Sequence, residues 1–189
     1  MNKELAEATF FNEISFYEVD KDYVDYLYKF DKNVVKHKNG RKYIGIIFIY
    51  HNIKYVAPLT SDSNHNKDYL RRHPYKQVTF DIGKYNHQNI GLIRFGNMIP
   101  VKDCVLKRVN INLEIKNNTK YGYLLLKQYT SITSAKSKNE MVKLVKRVIK
   151  ISRNKNHFLH TVKGGICDLD LLTRQAKNYT KNKRADFLS

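Results

Sequence analysis

The segment Tyr55-Val56-Ala57-Pro58-Leu59-Thr60-Ser61 decides how the rest of the chain is arranged. Its apolar first half is typical of a buried strand, and the strand ends in a proline followed by two adjacent hydroxyl groups. The most apolar run of the protein, Tyr43 to Tyr50, lies just upstream and can supply a partner strand. We therefore expect Thr60 and Ser61 at the edge of a buried sheet, immediately before a polar, basic loop.

A β-hairpin is predicted around the turn His51-Asn52. Lys42 to Tyr50 is apolar enough to be buried on both faces, and Ile53 to Leu59 returns antiparallel to it. Ten residues from Arg41 lead into the turn, and nine lead out of it to Ser61. The hairpin therefore predicts that Arg41 and Ser61 lie close together in space.

Composition points to a polyanionic partner. The 189 residues carry 35 Lys and Arg against 17 Asp and Glu, a formal net charge of +18. Self-repulsion of this size opposes compactness, so we favour nucleic acid over the alternative of a merely Lys-rich soluble protein. No run approaches the ~18 apolar residues of a membrane span, and no signal peptide is evident, so we expect no membrane partner and a cytoplasmic location.

The length predicts one domain, residues 14–189, preceded by an N-terminal extension at 1–13. Cys104 and Cys167 are isolated thiols, which we expect to be small core residues rather than a disulfide or metal pair. About four helices are predicted: one from Asp20 to Asp31, one from Lys120 to Ile132, one starting at the capping box Ser137–Glu140, and one from Asp168 to Tyr179. Further strands are predicted at Ile14–Val19, Val78–Ile82, Ile90–Phe95, Met98–Val101 and Val105–Ile111.

Familiar catalytic signatures are absent from the sequence. There is no P-loop, GxSxG elbow, HExxH pair or dinucleotide fingerprint. His157 and His160 could form half of a metal site, but no acidic or Cys residue nearby completes it, so we predict neither a metal nor another cofactor. A hydrolase site built on Ser61 would need a positioned histidine and carboxylate, and the loop lacks the glycine-rich turn of such sites.

Metal-free phosphoryl transfer on RNA remains compatible with the sequence. The ribose 2′-OH is its own nucleophile, so a protein need only align it, hold the non-bridging oxygens with cations and move a proton. The residue types that this chemistry requires occur at Arg41, Thr60, Ser61, His65 and Lys67. The general base stays open among a histidine, a hydroxyl relay and a lysine.

Binding of RNA is predicted for basic and amide side chains on both sides of the hairpin. The set is Lys36, His37, Lys42, His65, Arg71, Arg72, Lys76 and Asn97. Arg71 and Arg72 could instead pair with Asp68 or Asp81, and Asn97 could cap its own turn. Residues 136–155 carry eight Lys and Arg against one acid, Glu140, which suits a solvated helix face as well as an RNA-facing one.

The chain resembles the ToxN/AbiQ family, the endoribonuclease toxins of type III toxin–antitoxin and abortive phage-infection systems. The resemblance runs from Phe16 to Tyr179 and rests on order and spacing of several segments. These are Phe16-Tyr17, Tyr23 to Phe30, Arg41 to Ile46, Tyr55 to Ser61, Ile90 to Ile93, and Asn97 to Val101. It implies an α+β fold, a strongly twisted antiparallel sheet with helices, similar to the Kid/MazF class of toxins.

The resemblance also implies an activity and its partners. These are metal-independent cleavage of single-stranded cellular or phage RNA to 2′,3′-cyclic phosphate and 5′-hydroxyl ends, and inhibition by an RNA antitoxin of repeated pseudoknots. The complex is expected to be a closed protein–RNA assembly, and the free protein a monomer or weak dimer. The family's catalytic residues fall on Ser61, Thr60 and Arg41. Where the family often has a lysine two residues after the serine, this chain has Ser63, and we assign that role to Lys67.

His37 stands where the family has a tyrosine, four residues before the basic position. A non-catalytic, basic RNA-binding regulator is the alternative function. Such a protein would bind RNA with a steep salt dependence but would leave no cyclic-phosphate ends.

Overall fold

A computed structural model describes the backbone of residues 9–10, 14–36, 43–50, 52–60 and 68–180. The strands are β1 (Thr9–Phe10), β2 (Phe16–Val19), β3 (Tyr43–Tyr50), β4 (Ile53–Thr60), β5 (Phe80–Tyr85), β6 (Gln88–Ile93), β7 (Ile99–Val101) and β8 (Leu106–Arg108). The helices are α1 (Lys21–Phe30), α2 (Ile111–Asn117), α3 (Thr119–Ile132), α4 (Ala135–Arg153) and α5 (Leu169–Asn178). Short 3-10 turns connect several of these elements.

All strand pairs in these residues are antiparallel and form one sheet in the order β5-β6-β4-β3-β2-β8. Two short strands lie off this path, because β1 pairs with β3 and β7 pairs with β4. The fold is therefore α+β with an antiparallel sheet, as the family resemblance implies. The similarity to the Kid/MazF class stays a prediction.

The central hairpin forms as predicted. Residues 45–48 of β3 are all buried, as expected for a strand covered on both faces. Asn52 takes the positive φ of 59° that the tight turn requires. β4 pairs with β3 on one edge and, on the other, first with β7 and then with β6. The hairpin thus lies in the middle of the sheet and joins both halves.

Two of the sequence segments that carry the family resemblance meet across this hairpin. Gly45 lies opposite Pro58, and a β-carbon at Gly45 would collide with the carbonyl oxygen of Ala57. A glycine is therefore needed for the close approach of the two backbones, because any side chain would push them apart. The described parts of these segments, residues 43–46 and 55–60, therefore belong to one packed unit.

The helices cover the sheet through apolar faces. Helix α3 contacts β5 and β6, while α5 contacts β7 and α1. The predicted stripe of α4, from Met141 to Ile149, is buried as expected. Asp20 caps α1 by accepting hydrogen bonds from two backbone N–H groups, and Asp168 caps α5 by accepting one. None of the helices in the described part of the chain is long and apolar enough to cross a membrane.

Within the predicted extension at 1–13, Thr9–Phe10 forms a short strand against β3. Three predictions about local structure were wrong. The strand predicted at Val105–Ile111 ends at Arg108, because Asn110 caps a fifth helix, α2. Helix α4 starts at Ala135, since the Ser134 side chain accepts from the Ser137 N–H in place of the predicted capping box. Cys104 is exposed, whereas Cys167 is buried as predicted.

Candidate active site

The predicted site residues fall into two groups. Thr60, Lys36, Arg71, Arg72, Lys76 and Asn97 belong to the described part of the chain. Six others lie outside the described residues: Ser61, Arg41, Lys67, His37, Lys42 and His65. The site is therefore built from the elements that flank the segments 37–42 and 61–67.

Both of these segments join the sheet at the same end of the hairpin. β3 begins at Tyr43 and β4 ends at Thr60, and the antiparallel register pairs Gly45 with Pro58 close to that end. The chain that enters β3 and the chain that leaves β4 are therefore neighbours where they meet the sheet. This is the relationship that the hairpin count predicts for Arg41 and Ser61, whose own positions lie outside the described residues.

Thr60 is held by a tight packing arrangement at the end of β4. It is only 8% exposed and pairs with Leu92 of β6. Next to Leu92, Gly91 has a φ of +145°, and a β-carbon there would lie 2.9 Å from the Thr60 carbonyl oxygen and 2.5 Å from Gln128 Nε2. Gln128 of α3 in turn donates to the Ile90 carbonyl oxygen at 2.6 Å. Gln128 of α3 and Gly91 of β6 therefore pack closely against the backbone at the end of β4.

The 3-10 turn that directly follows segment 61–67 in the chain is held to the sheet by an ion pair. Arg71, in the 3-10 turn Asp68–Arg71, donates from Nε to Asp81 Oδ2 at 2.7 Å and from Nη1 to Asp68 Oδ1 at 3.3 Å. The register places Asp81 opposite Leu92, and Leu92 opposite Thr60. Since neighbouring strands lie about 4.8 Å apart, the Asp81 Cα is roughly 10 Å from the Thr60 Cα. Arg71 therefore ties the 3-10 turn that begins at Asp68 to the strand row that contains Thr60.

Arg71 is thus engaged with Asp68 and Asp81, the alternative to RNA binding that the sequence left open. The structure assigns it to anchoring the loop, and we withdraw it from the set of RNA contacts. Arg72, its neighbour, is exposed, and so is Lys76. The Lys76 N–H donates to the Arg72 carbonyl oxygen at 2.9 Å, which places the two residues one turn apart.

Asn97 is a structural residue in this fold, so its predicted contact with RNA was wrong. It is 2% exposed, and its Nδ2 donates to the Asn33 carbonyl oxygen at 2.9 Å. The Asn33 side chain extends the connection by donating to the Ile166 carbonyl oxygen and accepting from the Gly164 N–H. Asn97 therefore links the turn before β7 to the segment that follows α1.

That segment leads directly to the predicted basic loop. Lys36 is exposed, and its Nζ lies 4.2 Å from the centre of the Tyr28 ring, where a cation–π contact stabilises it. Lys36 is the last described residue before 37–42. Asn33 and Asn97 thus stabilise the segment that precedes residues 37–42. Arg71 stabilises the turn that follows residues 61–67.

The family model described as "Toxin ToxN, type III toxin-antitoxin system" matches residues 15–177. This chain belongs to the ToxN family. The match confirms the resemblance and covers every described element except β1 and the end of α5.

Curated and solved relatives agree with this membership. "Endoribonuclease ToxN" of Bacillus thuringiensis subsp. kurstaki is 27% identical over 175 residues, covering 90% of this chain and 86% of the relative. "Endoribonuclease ToxN" of Pectobacterium atrosepticum is 27% identical over 180 residues, with 89% and 95% covered.

Two solved structures share the fold. A structure concerned with selective toxin inhibition by a non-coding RNA pseudoknot in bacterial type III toxin–antitoxin systems has a TM-score of 0.70 and 25% identity, covering 90% of this chain and 100% of that one. AbiQ, a lactococcal anti-phage endoribonuclease, has a TM-score of 0.64 at 21% identity, with 90% and 100% covered. The second likeness concerns the fold alone.

Basic side chains of this ToxN-family protein also cover the outer face of α4. Lys136, Lys143, Arg147 and Lys150 are exposed along it, while the opposite face is buried. The helix is amphipathic in the usual sense, so the solvated-face and RNA-facing interpretations both stay open. Within residues 14–36, 43–50, 52–60 and 68–180, no group of three or more His, Cys, Asp and Glu side chains is arranged to hold a metal ion.

Sequence reasoning missed the residues that support the site from a distance. In the sequence, Gln128 is indistinguishable from other helical residues, and Asn33 simply follows a predicted helix. In the structure, both side chains donate to backbone carbonyl oxygens near the two loops. Gly91 belongs to one of the segments that carry the family resemblance. Its role, to leave room for the Thr60 carbonyl oxygen and the Gln128 side chain, depends on tertiary packing.

Proposed function

We propose that the endoribonuclease activity of this ToxN-family chain resides where segments 37–42 and 61–67 meet the β3–β4 hairpin. The substrate is single-stranded RNA, cut by its own 2′-OH without a catalytic metal. The 2′-oxygen attacks the adjacent phosphorus, the bond from phosphorus to the 5′-oxygen breaks, and the products carry a 2′,3′-cyclic phosphate and a 5′-hydroxyl. The proton leaves the 2′-OH to a protein group, and the 5′-oxygen gains one.

The observation that carries this proposal is the register of the hairpin. Gly45 faces Pro58 two residues before β4 ends at Thr60, so the two loops reach the sheet side by side. A serine and an arginine contributed by adjacent loops can flank one phosphodiester group. Charge stabilisation by fixed cations is commonly the largest single contribution to such reactions.

Each residue has a proposed role. Ser61 aligns the 2′-OH or relays its proton, and Arg41 and Lys67 bind the non-bridging phosphate oxygens. Thr60 is too buried to reach RNA readily, so we assign it to positioning Ser61 at the end of β4. Lys36, His37, Lys42, His65, Arg72 and Lys76 contact the backbone of the RNA on either side.

The inhibitor that we propose is an RNA antitoxin of repeated pseudoknots, which occupies the same basic surface. Two facts support it: the net charge of +18, and the 25% identity over 90% of the chain to a toxin inhibited by a non-coding RNA pseudoknot. We further propose that protein and RNA form a closed assembly in the cytoplasm. Toxin released from this assembly in a phage-infected cell would then degrade RNA and abort the infection.

The assigned site is tested by comparing two serines of the same loop. Wild-type protein, Ser61→Ala and the matched control Ser63→Ala are mixed with single-stranded RNA in excess EDTA. We expect the wild type and Ser63→Ala to cleave alike, and Ser61→Ala to bind the RNA but cut it at least about a hundredfold more slowly. Equal cleavage by all three proteins would remove Ser61 from the site.

A non-catalytic regulator would give a different result. It would bind RNA with a logarithmic salt slope of about −0.7 per phosphate contacted and leave the RNA intact. The same assay therefore separates the two functions.

A further inference from the structure

Five aromatic side chains lie on the turns at 68–77 and 157–165, which pack against each other. We define the ring surface as Tyr69, His73, Tyr75, His157 and Phe158. Phe158 stacks with His157, their centroids 4.7 Å apart and their planes at 26°, and with His73 at 6.0 Å and 30°. Tyr69 meets Tyr75 edge-on at 5.2 Å. The three stacked rings and the Tyr69–Tyr75 pair lie on the same two turns, and the proposed catalytic chemistry uses neither group.

Three of the five residues are exposed, and Tyr75 and His157 are half-buried. Phe158 is 42% exposed and Tyr69 is 48% exposed, and His73 is also exposed. Exposure of single apolar residues is common, but here two near-parallel rings, His73 and Phe158, are exposed next to each other. A nucleobase can stack on the exposed side of these rings.

Hydrogen bonds hold the rings in place. The His157 Nδ1 accepts from the Leu159 N–H at 3.3 Å, and the His73 Nε2 lies 3.1 Å from Gln77 Nε2. The Tyr75 hydroxyl donates to the Lys163 carbonyl oxygen at 3.3 Å, joining the two turns. A base that stacks here meets rings that are already ordered, so little conformational entropy is lost on binding.

The charge around the rings fits a polyanion. Arg72 and Lys76 are exposed within the first turn, and Lys163 is exposed in the second. Aromatic faces flanked by cations are the usual means of binding single-stranded nucleic acid without regard to sequence. An apolar protein partner would gain nothing from three neighbouring cations.

The ring surface also lies close to the proposed site along the chain. The turn that carries Tyr69 and His73 begins at Asp68, immediately after segment 61–67, and Arg71 anchors it to Asp81. In the second turn, the Gly164 N–H donates to Asn33 Oδ1 at 2.9 Å, so the ring surface also adjoins the segment that leads to Lys36.

We propose that the ring surface is a subsite for unpaired bases of single-stranded RNA, next to the nucleotide that is cut. The identity of the ligand rests on the proposed function, but the subsite itself does not require cleavage. Phe158 and His73 stack with the bases, and Arg72, Lys76 and Lys163 bind the phosphates beside them.

The absence of tryptophan from the chain permits a direct test. Phe158→Trp places a single indole on the ring surface. Phe30→Trp is the matched control, because Phe30 is also 42% exposed but meets the Tyr26 ring edge-on instead of stacking on a histidine. Both full-length proteins are titrated with a single-stranded 2′-O-methyl oligonucleotide, which lacks the 2′ nucleophile. The result is therefore independent of whether the protein cleaves RNA.

We expect the oligonucleotide to quench the emission of Phe158→Trp strongly and that of Phe30→Trp weakly, and the same oligonucleotide in a duplex to quench neither strongly. Absence of quenching at position 158 while anisotropy shows binding would overturn the proposal. Equal quenching at both positions would overturn it too.

A second pair of variants separates stacking from charge. Phe158→Leu keeps an apolar side chain but loses the ring, and we expect affinity for the single strand to fall about tenfold with an unchanged salt slope. Lys76→Gln should instead flatten the slope by about 0.7. Unaltered affinity of Phe158→Leu, as expected if the surface binds a protein, would contradict the proposal.

Discussion

Arg71 Nε donates to Asp81 Oδ2 at 2.7 Å, and Asp81 shares a register row with Leu92 and Thr60. The ion pair therefore holds the 3-10 turn Asp68–Arg71 to the strand row at which β4 ends. Asp81 is further held by accepting from the Gly83 N–H at 3.0 Å. We therefore expect the proposed site to depend on an intact Arg71–Asp81 pair.

Breaking this pair should harm catalysis more than stability. The side chains of Arg71 and Asp81 are 18% and 44% exposed, so Arg71→Ala should lower the free energy of unfolding by about 1 kcal/mol or less. The rate of RNA cleavage should fall by about 10- to 100-fold, because small misplacements of catalytic groups have effects of that size. Lys21→Ala, which breaks the Lys21–Asp25 pair on α1, is the control and should leave cleavage unchanged. Parallel losses in both variants would argue against loop anchoring.

Gly91→Ala should destabilise the protein beyond the effect of backbone strain. Gly83 is the matched control, because it also has a positive φ, +105°, but a β-carbon there would meet no atom of the described residues within 4 Å. We expect Gly83→Ala to lower the free energy of unfolding by about 1 kcal/mol, and Gly91→Ala by about 2–3 kcal/mol. The added loss reflects the contacts with the Thr60 carbonyl and Gln128. Urea unfolding measures both values, and equal losses would contradict this packing.

Asn97→Ala should affect folding and leave the electrostatics of RNA binding unchanged. The substitution removes the buried partner of the Asn33 carbonyl oxygen, which should lower the free energy of unfolding by about 1–3 kcal/mol. Because Asn97 is buried, the dependence of RNA affinity on salt should be the same as in the wild type. A lost affinity with undiminished stability would instead show that Asn97 contacts RNA.

Asp168 should make stability depend on pH in the acid range. Burial alone would raise the pKa of this carboxyl group, but hydrogen bonds from Lys155 and the Leu171 N–H outweigh it and hold the pKa below its ordinary value of 3.8. The stabilisation is therefore complete above that value and is lost as the pH falls through the lower pKa of the folded state.

Asp168→Asn keeps a good helix cap but removes the charge. Its deficit in unfolding free energy, relative to the wild type, should be present at pH 7 and should shrink below about pH 4. Asp170→Asn, whose carboxylate lies 3.9 Å from Lys155, should show a smaller deficit at pH 7. A deficit for Asp168→Asn that is constant with pH would contradict the assignment.

The parts of the fold that depend on local patterns could be predicted from the sequence. The turn at Asn52, the cap at Asp20 and the buried stripe of α4 each follow from residues near one another in the chain. Helix α2 was missed because Val105, Lys107, Val109 and Ile111 alternate as in a strand, and the cap at Asn110 ends that pattern.

Long-range polar contacts could not be predicted from spacing. Asp68 and Asp81 were correctly named as possible partners of Arg71. Whether Arg71 binds these acids or RNA depends on where the sheet places Asp81, which spacing along the chain does not show. Asn97 was predicted either to contact RNA or to cap its own turn, whereas its side-chain partner Asn33 lies 64 residues away. Such pairs are specified by tertiary packing, and they produce no periodic pattern in the sequence.

The central claim, that the RNA supplies its own nucleophile at the end of the hairpin, is tested most directly by one substitution in the substrate. Wild-type protein in EDTA is given an RNA with a mapped cleavage position and the same RNA with 2′-deoxy at the nucleotide whose 2′-OH would attack. We predict cleavage of the first to 2′,3′-cyclic phosphate and 5′-hydroxyl ends, and no cleavage of the second at that position. Cleavage of the deoxy substrate there, or products with 5′-phosphate ends, would contradict the account.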